Sequence, residues 1–194
     1  MNEAVWGLIG IGVGWLLNEF SSFIKKEEED KNLKDNLKIL LKSEFLENKN
    51  NLNHYFNLIT EGVNNVNEES RKDSYVRKLI RNPIPNFSND AYLSQLPTLG
   101  RIFKTNEISS LIGIYGKFSH LQNVYQSIIK KQDDYNETSR LANLSSDNLA
   151  KGLAFHSKNH NIADMRDLWD IFVNEKEQIS SSNLDEIFNN ESDY

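Results

Sequence analysis

Ala4 to Leu17 reads AVWGLIGIGVGWLL, fourteen residues without a charged or strongly polar side chain in a chain that is otherwise 26% charged. Such a run constrains the fold more than any other feature, because it needs lipid or a protein interior around it. Alone it falls short of the roughly 20 residues that a helix rising about 1.5 Å per residue needs to cross hydrocarbon. After Asn18 and Glu19 the run resumes at Phe20, Ser21, Ser22, Phe23 and Ile24, giving 21 positions before Lys25 and Lys26. Residues 4–24 therefore read as a transmembrane helix in contact with membrane lipid, with Glu19 near the inner boundary. A secretory signal peptide needs a basic start and a small-residue cleavage site, and neither is present. A helix buried in a protein core is the main competing reading, and an interfacial helix would need a charged face that residues 4–17 lack.

Lys25, Lys26, Lys31 and Lys34 follow the segment and no basic residue precedes it. Cations near a span stay on the cytoplasmic side, so the expectation is a single-pass protein of the inner (plasma) membrane, N-terminus out and body cytoplasmic. Gly7, Gly10 and Gly14 lie in the run, and the i, i+4 spacing of Gly10 and Gly14 allows close helix approach. Self-association into a homo-oligomer is the corresponding expectation.

Past the run the pattern is helical throughout. Leu37, Leu41, Phe45, Leu52, Phe56, Ile59, Val63 and Val66 recur at mostly three, four or seven positions, the stripe of one long amphipathic helix that Asn48 interrupts. Tyr75, Val76, Leu79 and Ile80 form a second stripe, ended by Asn82-Pro83-Ile84-Pro85-Asn86 because proline removes a donor and extends its predecessor. Ser88, Asn89 and Asp90 then offer a helix cap, and Pro97 to Gly100 reads as a turn. Residues 106–131 are apolar over a broad arc and are predicted to be central to the core. Residues 135–157 and 162–179 supply further helices, the last built on Met165, Leu168, Trp169, Phe172 and Val173. The fold class is all-α: an N-terminal transmembrane helix (1–24), a charged exit and long amphipathic helix (25–70), a cytoplasmic helical bundle (71–180), and an acidic, frayed tail (181–194).

Composition removes several functions. The chain has no cysteine, so disulfides, thiolate metal sites and cysteine nucleophiles are excluded. Its net charge of −6 argues against nucleic acid as a partner. A local exception is the stretch from Arg71 to Lys104, with seven basic residues against Asp73 and Asp90, followed by a 133–194 segment of net charge −8. Arg71, Lys72, Arg77, Lys78 and Arg81 are thus candidates for an anionic surface, a nucleotide or another small ligand. The favoured competing reading is an ordinary solvated helix face, paired with the acidic C-terminal part.

No phosphate loop, dinucleotide fingerprint, nucleophile elbow or zincin motif occurs. The one ligand-like spacing is His156 and His160 at i, i+4, with Asp164 a further turn on, which suggests a metal-dependent hydrolase as an alternative. The S-K-N between the histidines is poor helix, and Lys158 opposes a cation. No catalytic residue, metal or cofactor is therefore assigned.

The plan as a whole, GVGWLLNEF, a charged exit, SEFLENKNNL on a long helix and LIGIYGKFSHLQ in a core pair, resembles the small single-pass helical proteins of bacteria and their mobile elements. The resemblance implies a membrane-anchored interaction or sensing protein that self-associates and binds a cytoplasmic protein or ligand, as a phage-defence or exclusion effector does. It carries no active-site residue over.

Overall fold

In the computed structural model, residues 3–63 and 67–188 are described, with side chains described from Trp15 onward. Among them the chain forms six helices: α1 (Glu3–Thr60), α2 (Glu68–Arg81), α3 (Asp90–Ile102), α4 (Thr105–Leu144), α5 (Asn148–Ser181) and α6 (Leu184–Phe188). The all-α expectation holds for the body. The membrane part of it does not, because no helix among the described residues is long and apolar enough to cross a membrane. The reason is visible in α1. At 100° per residue Asn18, Glu19 and Ser22 share one side of the helix, and Leu16, Leu17, Phe20, Phe23 and Ile24 the other. This stretch is amphipathic and runs without a break into the charged exit. The single-pass anchor, the inner-membrane location and the orientation drawn from it are accordingly withdrawn. Gly7, Gly10 and Gly14 lie outside the residues whose side chains are described.

With 58 residues at about 1.5 Å each, α1 is nearly 90 Å long. Among its described side chains, Leu37, Leu41, Phe45, Leu52, Tyr55 and Ile59 enter the core, all in its second half. Ring contacts fix the directions of its partners. Phe45 meets Phe118 edge-on, with centroids 6.1 Å apart, and Tyr115 donates to Glu44, so α4 runs parallel to α1. On α5, Phe172 meets Tyr55, Trp169 stacks on Phe56, and Lys42 binds Asp185 beyond the helix end, so α5 runs antiparallel. The molecule is therefore drawn out along α1. Trp15–Glu29 project from one end as an exposed arm, and the α4–α5 hairpin from about Asp133 to His160 projects past the other.

Buried polar groups hold the shorter helices. Glu44, on α1, accepts from Ser88 Oγ (2.8 Å), the Ala91 and Tyr92 amides (2.9 and 3.2 Å) and the Tyr115 hydroxyl (2.9 Å). A carboxylate from another helix thus caps α3, whose flanking Asn89 makes no side-chain cap. Asn48, one turn on, pairs with both the amide and the carbonyl of Ser88. The residue that breaks the apolar stripe is a clamp on the loop after Pro85. Burial and the bond to Glu44 push the Tyr115 hydroxyl well above the ordinary phenol range.

Two boundaries differ from expectation. Pro97 and Gly100 lie inside α3 rather than in a turn. The stretch read as one helix over 135–157 is broken at Ser145–Asp147, where the Asp147 carboxylate caps α5 through Leu149 N at 2.9 Å. Of the expected frayed tail, Leu184 and Phe188 are buried against the core, and 189–194 lie outside the described residues.

Candidate functional site

The basic candidates fall on three sides of α2, and its acidic neighbours take up part of their charge. Lys72 binds Asp170 at 2.6 Å and Glu68 at 3.3 Å, which raises its pKa. Lys78 donates to the Glu61 carbonyl at the end of α1. Arg71 borders a shallow apolar cleft with Phe56, Tyr75 and Trp169. Arg81 is exposed at the helix end. The expected meeting of the basic stretch with the acidic C-terminal part is present at Lys72 and Asp170. It is also reversed, because Arg166 of α5 binds Asp73 of α2 through two bonds of 2.7 and 2.9 Å.

That fork is half-buried, and the Arg166 guanidinium holds the Asp73 carboxyl below the usual carboxylate range. A carboxyl with a depressed folded-state pKa contributes stability that is present at neutral pH and lost as pH falls through that lowered value. Unfolding followed from pH 7 into the acid range is expected to show Asp73→Asn less stable than the parent at neutral pH. The gap should close as the parent's carboxyl protonates. A gap that stays constant with pH would show that the fork contributes only packing.

Arg77 borders the most enclosed space in this region. A cavity of about 240 Å³ lies between α2 and the base of the hairpin, with Val76, Ile162 and Met165 as floor and Asp73, Arg77, Gln132 and Tyr135 at the rim. It offers a guanidinium, an amide and a phenol over an apolar base. The Asp73 carboxylate shares that rim with the Arg77 guanidinium, and the volume is below that of most ligand pockets.

The histidine pair does not assemble a metal centre. His156 and His160 lie on α5, which stays helical through S-K-N. His160 is 3.7 Å from Asp164, but Lys131 takes that carboxylate at 2.5 Å and lowers its pKa. Among the described residues no group of three or more His, Asp or Glu is placed to hold a metal ion. His120 instead sits 3.1 Å from Glu175, joining α4 to α5.

The feature that sequence reasoning missed is the distribution of apolar surface. Leu16, Leu17, Phe20, Phe23 and Ile24 of the α1 arm are 49–67% exposed, and Leu141, Leu144, Leu149 and Leu153 of the hairpin 53–72%. Beyond the Tyr135–Lys158 contact, the half-buried positions toward the hairpin tip are small, Thr138, Ser139, Ala142, Ala150 and Ala154, and the leucines there are exposed. The leucines at 141 and 144 and at 149 and 153 carry that signal in the sequence, once the turn at 145–147 is placed. Comparison with protein-family models, curated proteins and solved structures gives no match for this chain.

Proposed function

We propose that this protein is a helical assembly module that works by associating with further copies of itself rather than by catalysis. The observation that carries this reading is the α1 arm. Leu16, Phe20 and Phe23, flanked by Leu17 and Ile24, have the three-and-four spacing of a helix–helix seam and are exposed in the described residues. An apolar stripe of this kind in water is a surface that a second helix covers. The arm continues into the body as one helix, so whatever covers it is held at a set distance from the core.

Light scattering across a concentration series tests the reading. The intact chain is expected to assemble. Replacing Leu16, Phe20 and Phe23 together by serine should reduce the assembly by at least one step in subunit number, with unchanged helical circular dichroism because these residues lie outside the core. An unchanged size distribution would remove the arm from the argument.

A further inference from the structure

The hairpin offers a second contact, independent of the arm. Six large apolar residues of α4 and α5 stand exposed on one face: Ile112, Leu141 and Leu144 on α4, and Leu149, Leu153 and Ile171 on α5. Helix geometry places them on one side, with the four leucines at the hairpin tip and Ile171 and Ile112 farther along toward its base. At 100° per residue, 112 and 141 differ by 20° and 141 and 144 by 60°, while 149 and 153 differ by 40° and 153 and 171 coincide. Leu141 and Leu153 each precede an inward-facing alanine, Ala142 and Ala154, and in two antiparallel helices positions offset the same way from the seam share a face. Phe155 lies across the seam, on the side where α1 and α2 pack. Among the described residues no element covers the face with the leucines.

From this pattern we infer that the open face of α4–α5 is a dimer interface for a second copy, related by a two-fold axis along the hairpin, with α4 of one copy lying on α5 of the other. The inference rests on the reading that the protein assembles with itself, and it names a surface for that assembly. Size supports it. The six side chains leave on the order of 600 Å² exposed per copy, so two copies reach the roughly 1,200 Å² of a specific interface. Charge selects the occupant.

Contacts across the hairpin, Lys131 to Asp164 and His120 to Glu175, show which levels of the two helices coincide. On the open face α4 carries Asp134 and Glu137, the latter also bound by Arg140 one turn on, and α5 carries His156 and His160 at nearly the same height. The two-fold sets each carboxylate pair of one copy against the histidine pair of the other. Leu141 then meets Leu153, and Leu144 meets Leu149. An isologous contact requires a surface complementary to itself, and on this one leucine meets leucine while each acidic level meets an imidazole level.

The experiment uses the full chain carrying the three arm serines, so that only the hairpin face remains to associate. Light scattering is expected to find a dimer, and Leu144→Asp with Leu149→Asp to give a folded monomer. Two charge variants follow: His156→Glu with His160→Glu, and Asp134→Lys with Glu137→Lys. Each alone should weaken dimerisation at least tenfold, and mixing them should restore it, because acidic α5 then meets basic α4. A monomer with all leucines intact would overturn the inference, as would charge variants that dimerise alone as well as together. If the arm serines leave the size of the intact chain unchanged while the leucine substitutions abolish assembly, the arm reading fails and this one stands.

Discussion

Replacing Trp169 by alanine is expected to lower stability by about 3–5 kcal/mol, the usual cost of deleting a large buried aromatic ring. The site has few ways to relax. Trp169 is 3% exposed and stacks on Phe56 of α1 at 5.9 Å, on Phe172 of its own helix at 5.8 Å and, tilted, on Tyr75 of α2 at 5.1 Å. Aromatic pairs add to the burial contribution, and three depend on this one ring. Since the ring joins α5 to both α1 and α2, the cavity would open where three helices meet. Calorimetry should show the transition roughly 10 °C lower for a domain of this size. Trp169→Phe, which keeps one ring, should recover about half of the loss. An alanine variant that unfolds within a degree or two of the parent would mean that the cluster collapses freely.

The second large effect is expected at Glu44. Its carboxylate takes four donors, two of them backbone amides of α3 that have no alternative acceptor. Glu44→Ala leaves those amides unpaired and the Tyr115 hydroxyl with only its 3.4 Å contact to the Leu41 carbonyl, at about 3–4 kcal/mol in total, given that each stranded buried donor costs about 1–3. Glu44→Gln is the informative control, because the amide oxygen can keep one side of the network while its NH₂ confronts the donors on the other. Denaturant unfolding should rank wild type above Gln and Gln above Ala. Hydrogen exchange should show α3 opening before the rest of the bundle in the alanine variant. Equal exchange at Ala91 and Tyr92 in all three proteins would exclude the capping role.

These two sites also show how far the sequence could be read. Trp169 and Phe172 were legible as core because they continue a 3.6-residue stripe, and the proline boundary after Arg81 was legible because proline acts locally. Glu44 was not. A charged residue between Leu41 and Phe45 has no periodic signature, and its four partners lie 44 to 71 positions away. Asn48 gave a partial signal, a polar residue where the stripe required an apolar one, without indicating that the Ser88 backbone would satisfy it. Pro97 shows the opposite limit, since Leu99 is held in the core strongly enough for α3 to tolerate a missing donor. The apolar N-terminal run was misread because its length was counted and the shared side of Asn18, Glu19 and Ser22 was not. The hairpin was obscured by a short turn, Ser145–Asp147, whose capping aspartate is an ordinary start signal hidden between two helical patterns.

The uninterrupted course of α1 also has a mechanical meaning. A helix without a break between Trp15 and Leu37 behaves as a shaft, so the angular position of the arm's stripe is keyed to that of the Leu37–Ile59 face. A twist applied where the arm is gripped arrives at the body as rotation of that face against Phe118 and Phe172. One extra residue within the shaft would turn the two ends about 100° out of phase while lengthening it by only about 1.5 Å. Through α1, the orientation of whatever holds the arm becomes part of the geometry of the core.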